Sequence, residues 1–219
     1  MSAVKQLVII ISLFILFLST GCAKKQTPEE EMYTILENVA AKEKTFEEQQ
    51  KPLTKLEKHE KTLYDQIISL GMKEYDQITK QSDEAITSAN KRSELFKKET
   101  KSMKDSEQAF KKVKSVKKRI DEPKLRKSAD QLYDTMTIRY QAHDSLTNFY
   151  MAALKNDIQL YKMFQNKDIS AIQLEEQVKK VNLSYEQVYA ANDKFNNLTK
   201  DYNTQKLSFY KQAGLSNDE

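Results

Sequence analysis

Cys22 is the single cysteine of this 219-residue chain, and it follows Leu18-Ser19-Thr20-Gly21 at the end of an apolar run. One cysteine allows no internal disulfide. Small residues before it would let a peptidase reach the Gly21–Cys22 bond, and the freed cysteine could carry a thioether-linked diacylglycerol. Elsewhere the side chains that do chemistry are scattered. The two histidines, His59 and His143, stand in neither HxxxH nor HExxH spacing. His59 lies among Lys and Glu and reads as a solvated surface residue; His143 falls on an apolar seam and reads as a core or rim histidine. Glu47-Glu48 could supply the paired carboxylates of a glycosidase, but glutamates on such helices ordinarily form a solvated face. Tyr150, Tyr161, Tyr185 and Tyr202 could stack on sugar rings, or pack with the hydroxyl at the rim. No glycine-rich phosphate loop exists. The residues point to no enzyme, no metal and no cofactor beyond the lipid on Cys22.

The densest local feature is cationic. Lys111, Lys112, Lys114, Lys117, Lys118, Arg119, Lys124, Arg126 and Lys127 stand against only Asp121 and Glu122. Such a cluster contributes about 1 kcal/mol per charge beside an anionic surface before screening. It is therefore a candidate docking tip for anionic phospholipid or lipoteichoic acid, or simply a solvated turn. The chain as a whole carries a formal charge of +4, and removal of residues 1–21 takes away only Lys5. That balance gives no reason to expect nucleic acid.

What would position these groups follows from the rest of the sequence. Lys5 precedes an uncharged stretch from Leu7 to Leu18. A membrane-crossing helix needs about 20 apolar residues, so this run suits a signal peptide over residues 1–21. Its end resembles the bacterial lipobox, except that Ser19 stands where Leu is most typical. Residues 22–27 would be a short tether, 28–213 one elongated helical domain and 214–219 a polar tail. The protein would then sit on the outer face of the cell membrane, held by lipid.

Three glycines and three prolines are far too few for the turns of a β-rich fold. Apolar residues instead recur at sevens: Met32, Val39, Phe46, Leu53 and Ile67; Ala89, Phe96, Met103 and Phe110; Leu125, Leu132 and Leu146; Leu174, Val181, Val188, Phe195, Tyr202 and Phe209. Each series puts one apolar seam along a helix. Lys42, Gln49 and Glu60 interrupt the first seam, and Arg92 and Glu99 leave the second with a polar, weakly packed middle. The fold expected is all-α, an elongated antiparallel bundle or coiled coil of three to four long helices.

Thr27-Pro28 with Glu30 makes a capping box with a proline start, and Ser170 with Gln173 makes a second. Pro123 breaks the chain after Asp121-Glu122, and Gly214 ends the last helix. The first hairpin turn has two candidates. Pro52 with Thr54 and Glu57 has cap spacing, whereas Gly71-Met72 resembles a Schellman stop. A turn at Gly71 gives helices of nearly equal length over about 28–70, 72–120, 123–166 and 170–213.

The stretch Glu48 to Ile78 (EQQKPLTKLEKHEKTLYDQIISLGMKEYDQI), the opening Glu30 to Glu37, and Arg139-Tyr140-Gln141 resemble the YkyA family. Its members are described as cell-wall-binding lipoproteins of Gram-positive bacteria. The resemblance implies a helical, membrane-anchored, extracytoplasmic protein near peptidoglycan, and brings no catalytic motif. The expected role is a non-enzymatic rod that binds or spaces peptidoglycan or teichoic acid. The alternative is an interaction scaffold for another envelope protein or wall enzyme.

Overall fold

Thr27 starts the first helix. Its hydroxyl accepts from the Glu30 N–H at 3.2 Å, and the Glu30 carboxylate accepts from the Thr27 N–H at 2.9 Å. Pro28, which has no N–H to leave unpaired there, is the first helical residue. A computed structural model describes residues 25–70 and 74–215; Cys22, the signal segment, Gly71 and the end of the polar tail lie outside the described residues. Among those described, long helices α1 (Pro28–Ser69), α2 (Tyr75–Phe110), α4 (Pro123–Phe164) and α5 (Ala171–Gln212) form an antiparallel bundle, with a single turn α3 (Val113–Val116) between α2 and α4. A helix of 42 residues such as α1 is a rod of ~63 Å.

Pro52 lies inside α1, so the first hairpin turn falls between Ser69 and Tyr75. The cap spacing after Pro52 serves other bonds. Thr54 donates back to the Gln50 carbonyl at 3.0 Å, and Glu57 reaches Arg92 and Tyr150 on neighbouring helices. Proline removes one ladder donor. A second opening lies one and a half turns earlier, where the Ser102 hydroxyl donates to the Lys42 carbonyl at 2.6 Å and accepts the Phe46 N–H at 3.2 Å. A side chain is thus inserted in the backbone ladder, a recognised cause of helix bending.

The second helix is shorter than its periodicity predicts. It stops at Phe110, resumes as α3, and tightens into a 3₁₀ turn over Lys117–Arg119. The buried residues Phe110, Val113 and Val116 step by three, and Ile120 follows four on. A spacing of three suits the narrower 3₁₀ turn better than the α-helix, so the chain tightens to keep these residues facing the core. Glu122 then caps α4, its carboxylate accepting from the Lys124 and Leu125 N–H groups.

The end of α5 follows the Gly214 expectation. Gly214 has φ +67°, and Leu215 N–H reaches back to the Tyr210 carbonyl at 2.9 Å. That six-to-one bond is the Schellman closure, and glycine takes the left-handed conformation without strain.

Consecutive helices pack side by side, α1 on α2, α2 on α4 and α4 on α5. The first and last helices meet mainly through side chains, near the end where α1 begins. There Phe46 faces Phe195 with ring centroids 5.6 Å apart, Tyr33 faces Tyr210 at 4.7 Å, and the Tyr210 hydroxyl donates to Glu37 at 2.8 Å. The main core runs from Met32 and Phe209 up to Leu53 and Leu154, and a smaller cluster of Leu63, Ile67, Ile78, Ala85 and Tyr161 fills the far end. A layer of buried charge separates the two.

Candidate functional site

That charged layer comes from seam positions. Glu60 continues the series Leu53 and Ile67, and Arg92 continues Ala85, while Asp157 continues Tyr150 on α4. Each occupies a position facing the bundle interior, so the seams stay continuous and polar side chains fill their gaps. Arg92, 2% exposed, donates to Glu60 at 2.7 Å, to Glu57 at 3.3 Å, and to the Tyr150 and Tyr185 hydroxyls at 3.1 Å each. Asp157 lies 3.5 Å from the guanidinium and accepts from the Tyr185 hydroxyl. One cation thereby organises groups from all four long helices.

Two further buried pairs repeat the arrangement along the rod. Arg139 holds Glu43 through two parallel bonds of 2.8 Å, the strong bidentate geometry. Its Nε donates to Thr199 at 2.8 Å, and the guanidinium lies 4.7 Å from the Phe195 ring centroid. Glu99 and His143, both nearly inaccessible, approach to 3.5 Å, with Gln50 donating to Glu99 at 2.9 Å. His143 is a core histidine, its ring packed on Phe46, Phe96 and Phe195. The polar middle expected of α2 is real in composition, but it is closely packed.

Burial sets the acidities. It pushes the Glu60 carboxyl up to about 7, with Arg92 opposing only part of the effect. Burial likewise raises Asp157 and Glu99, opposed by Tyr185 and Arg92 in the first case and by His143 in the second. Folded Glu60 keeps its proton up to about pH 7, whereas an unfolded glutamate releases it near 4.5. Folding therefore takes up a proton between these values, and stability falls as pH rises through that window. Glu60→Gln should flatten the decline between pH 5 and 7.5, removing a pH-dependent contribution on the order of 3 kcal/mol at most. Urea midpoints for both proteins at several pH values check this; parallel pH profiles would contradict it.

Over the Arg92 centre lies an open cleft of about 510 Å³ between α1 and α5. Glu57, Lys58, Lys61 and Tyr64 form one side; Val178, Val181, Asn182, Tyr185 and Tyr189 form the other, with Arg92, Tyr150, Asp157 and Tyr161 between them. The four tyrosines considered for sugar stacking do not form one platform. Tyr150 and Tyr161 are buried, with Tyr150 stacked on Phe96 at 4.0 Å, and Tyr202 is buried beside Arg139 in another layer. Tyr185 alone of the four is partly open to the cleft, and the exposed Tyr189 beside it was not singled out from sequence. Glu47 and Glu48 stand on the solvated face of α1, and exposed His59 pairs with Glu84 at 3.0 Å. Among the described residues no group of three or more His, Cys, Asp or Glu could hold a metal ion.

The cationic cluster gathers where α2 ends and α4 begins, beside the start of α1. Arg119 pairs with Glu31 of the first turn of α1, which ties this end of the bundle to the start of α1. Lys117 is half-buried, pairs with Asp130 and lies 4.7 Å from the Tyr133 ring centroid. Arg126 donates to the Ile120 carbonyl at 2.7 Å, and Lys111 to Gln108 at 3.1 Å. Lys112, Lys114, Lys118, Lys124 and Lys127 are exposed and carry no ion pair among the described residues. The cluster therefore divides into cations that tie the end together and cations that face solvent. Among the described residues no helix is long and apolar enough to cross a membrane.

Comparison with known proteins completes the picture. A solved structure, the 1.6 Å crystal structure of a conserved protein of unknown function from Staphylococcus aureus, superposes with a TM-score of 0.72 over 85% of this chain and 97% of that one, at 21% identity. That likeness speaks for the fold. The "Uncharacterized lipoprotein YkyA" of Bacillus subtilis (strain 168) is 35% identical over 195 residues, covering 89% of this chain and 87% of that protein. The profile of the YkyA family, described as "Putative cell-wall binding lipoprotein", matches residues 27–212, from the helix cap at Thr27 to the last residue of α5. With the match spanning the whole bundle, the chain belongs to the YkyA family.

Proposed function

We propose that this protein is a lipid-anchored, extracytoplasmic and non-enzymatic rod that binds or spaces anionic polymers of the cell envelope, with the solvent-facing cations of its basic end as the contact. The observation that carries this reading is positional. The cluster sits at the end of the bundle where α1 starts, and only five residues lie between Cys22 and Pro28. A lipid on Cys22 would hold the basic end against the headgroups, where phosphodiesters of anionic lipid or of teichoic acid lie within a Debye length of about 8 Å. The sealed core position of His143 and the solvated positions of Glu47 and Glu48 support a role without catalysis.

A chain beginning at residue 23 should bind phosphatidylglycerol vesicles or teichoic-acid-bearing sacculi, and lose that binding as salt rises. Lys118→Glu with Lys124→Glu and Lys127→Glu should weaken it by roughly 10–100-fold, given about 1 kcal/mol per cation before screening. These three lysines carry no structural pair, so the fold should survive by circular dichroism. Undiminished binding by the triple variant would sink the reading. A specific protein adduct from crosslinking in cells, without binding to sacculi or vesicles, would favour a scaffold instead.

A further inference from the structure

Resting on the envelope-polymer reading but at a separate site, we propose that the cleft between α1 and α5 binds one or two uncharged pyranose units of a glycan. Its position follows from the packing. Near the start of α1 the two helices are joined by Phe46–Phe195 and Tyr33–Tyr210, but toward the far end the facing residues of α5 are only partly covered, including Val178 and Val181. The resulting volume of about 510 Å³ lies in the range of small-molecule sites, ~300–1,000 Å³.

The lining specifies the ligand chemistry. Acidic and basic side chains are equal in number around the cleft, Glu57, Glu60 and Asp157 beside Lys58, Lys61 and Arg92, and burial keeps the Glu60 carboxyl partly protonated near neutral pH, so no strong field of either sign faces a ligand. Neither a strongly anionic nor a strongly cationic ligand would gain from that balance. Arg92 already gives its protons to Glu60, Glu57 and two tyrosine hydroxyls, so it holds the floor in place and leaves carboxylate oxygens as acceptors. Glu57 keeps 43% of its side chain accessible, a ready acceptor for sugar hydroxyls. Tyr189, 65% exposed, stands on the α5 rim and Tyr64, partly exposed, on the α1 rim. Flat amphipathic rings with a polar tip suit the apolar face of a pyranose, and the polar groups between them suit its edge. Because the floor is cross-linked by hydrogen bonds from four helices, little ordering is needed on binding.

The test is an NMR titration of the residue 23–219 chain, followed through the tyrosine signals. The probes are β-1,4-linked N-acetylglucosamine oligomers of two to six units, cello-oligosaccharides, and a glycerol-phosphate polymer. Oligosaccharides should perturb Tyr185 and Tyr189, and Val181→Arg, which fills the cleft from a partly exposed position, should abolish the effect. Tyr189→Ala, at an exposed position that the fold does not need, should weaken binding at least ten-fold. Both variants should keep salt-sensitive vesicle binding, whereas the triple lysine variant should lose vesicles and keep the sugar. Perturbation of the cleft by the glycerol-phosphate polymer alone, or saccharide binding unchanged in Val181→Arg, would overturn the proposal. Failure of vesicle binding with saccharide binding intact would overturn only the role of the basic end.

Discussion

Arg92→Met should destabilise the bundle by about 3–5 kcal/mol, because it strands Glu60 and Asp157 in a layer that water barely reaches. Removing one member of a buried ionic network costs more than the network contributes, since desolvation of the remaining charges is no longer offset. A domain of this kind has a net stability of about 5–15 kcal/mol, so the loss is a large fraction of the whole. The stranded carboxyls can take up protons, and burial already raises both in the presence of Arg92. The loss should therefore be smaller at pH 5 than at pH 8. Arg92→Met combined with Glu60→Met should recover part of the loss, because one unpaired carboxylate is replaced by apolar volume. Urea midpoints followed by far-UV circular dichroism measure all three proteins. A single-variant midpoint close to wild type at pH 8 would show that the layer is far wetter than its packing indicates.

The second large effect concerns the anchor, which we propose to be diacylglycerol on Cys22. Cys22→Ala should move the protein out of the membrane fraction, into the medium or into an unprocessed precursor. The magnitudes decide between the two attachments available. Buried acyl carbons contribute about 0.8 kcal/mol each, and stable anchoring takes two chains or one chain plus a basic patch. Against an anionic surface, five lysines without an ion pair among the described residues would contribute about 1 kcal/mol apiece before screening, a weak and salt-labile contact. On these magnitudes lipid would dominate retention, and the lysines would set how the bundle lies on the surface. Fractionation in 0.5 M salt separates these contributions. Correctly processed Cys22→Ala protein that stays in salt-washed membranes would refute the anchor.

Most of the bundle was legible in the residues because helix starts and heptads have local causes. The capping boxes at Thr27 and Ser170, the proline start at Pro123 and the glycine stop at Gly214 each act within one or two turns, and each appears with the hydrogen bonds its sequence implies. Pro52 was ambiguous for a physical reason. A proline in a long helix removes one ladder donor, and packing of Val39 and Phe46 before it and of Leu53 and Leu63 after it holds the rod together. The break at Lys111-Lys112 had no glycine or proline to mark it; its trace is the three-residue step of Phe110, Val113 and Val116.

The charged layers were harder to see. Glu60, Arg92, Glu99, Arg139 and Asp157 look like gaps in three separate seams, and they become pairs only once the helices are aligned. Opposite charges at interior heptad positions of different segments are the signal that was available. The cleft has no local signature at all, because it exists only where the first and last helices fail to close on each other.

Those ionic layers have a mechanical consequence. Seams made only of leucine and alanine would look nearly the same after one helix slid past its neighbour by a heptad, a displacement of ~10.5 Å. Here such a slide of α1 would set Leu53 or Ile67 opposite Arg92, part Glu43 from Arg139 and draw Gln50 away from Glu99. Three unlike detents, at different heights along the shaft, must all be stripped before any shear can occur. Pulled or pushed along its axis, the protein should therefore behave as a strut of constant length, failing by abrupt rupture and not by gradual creep.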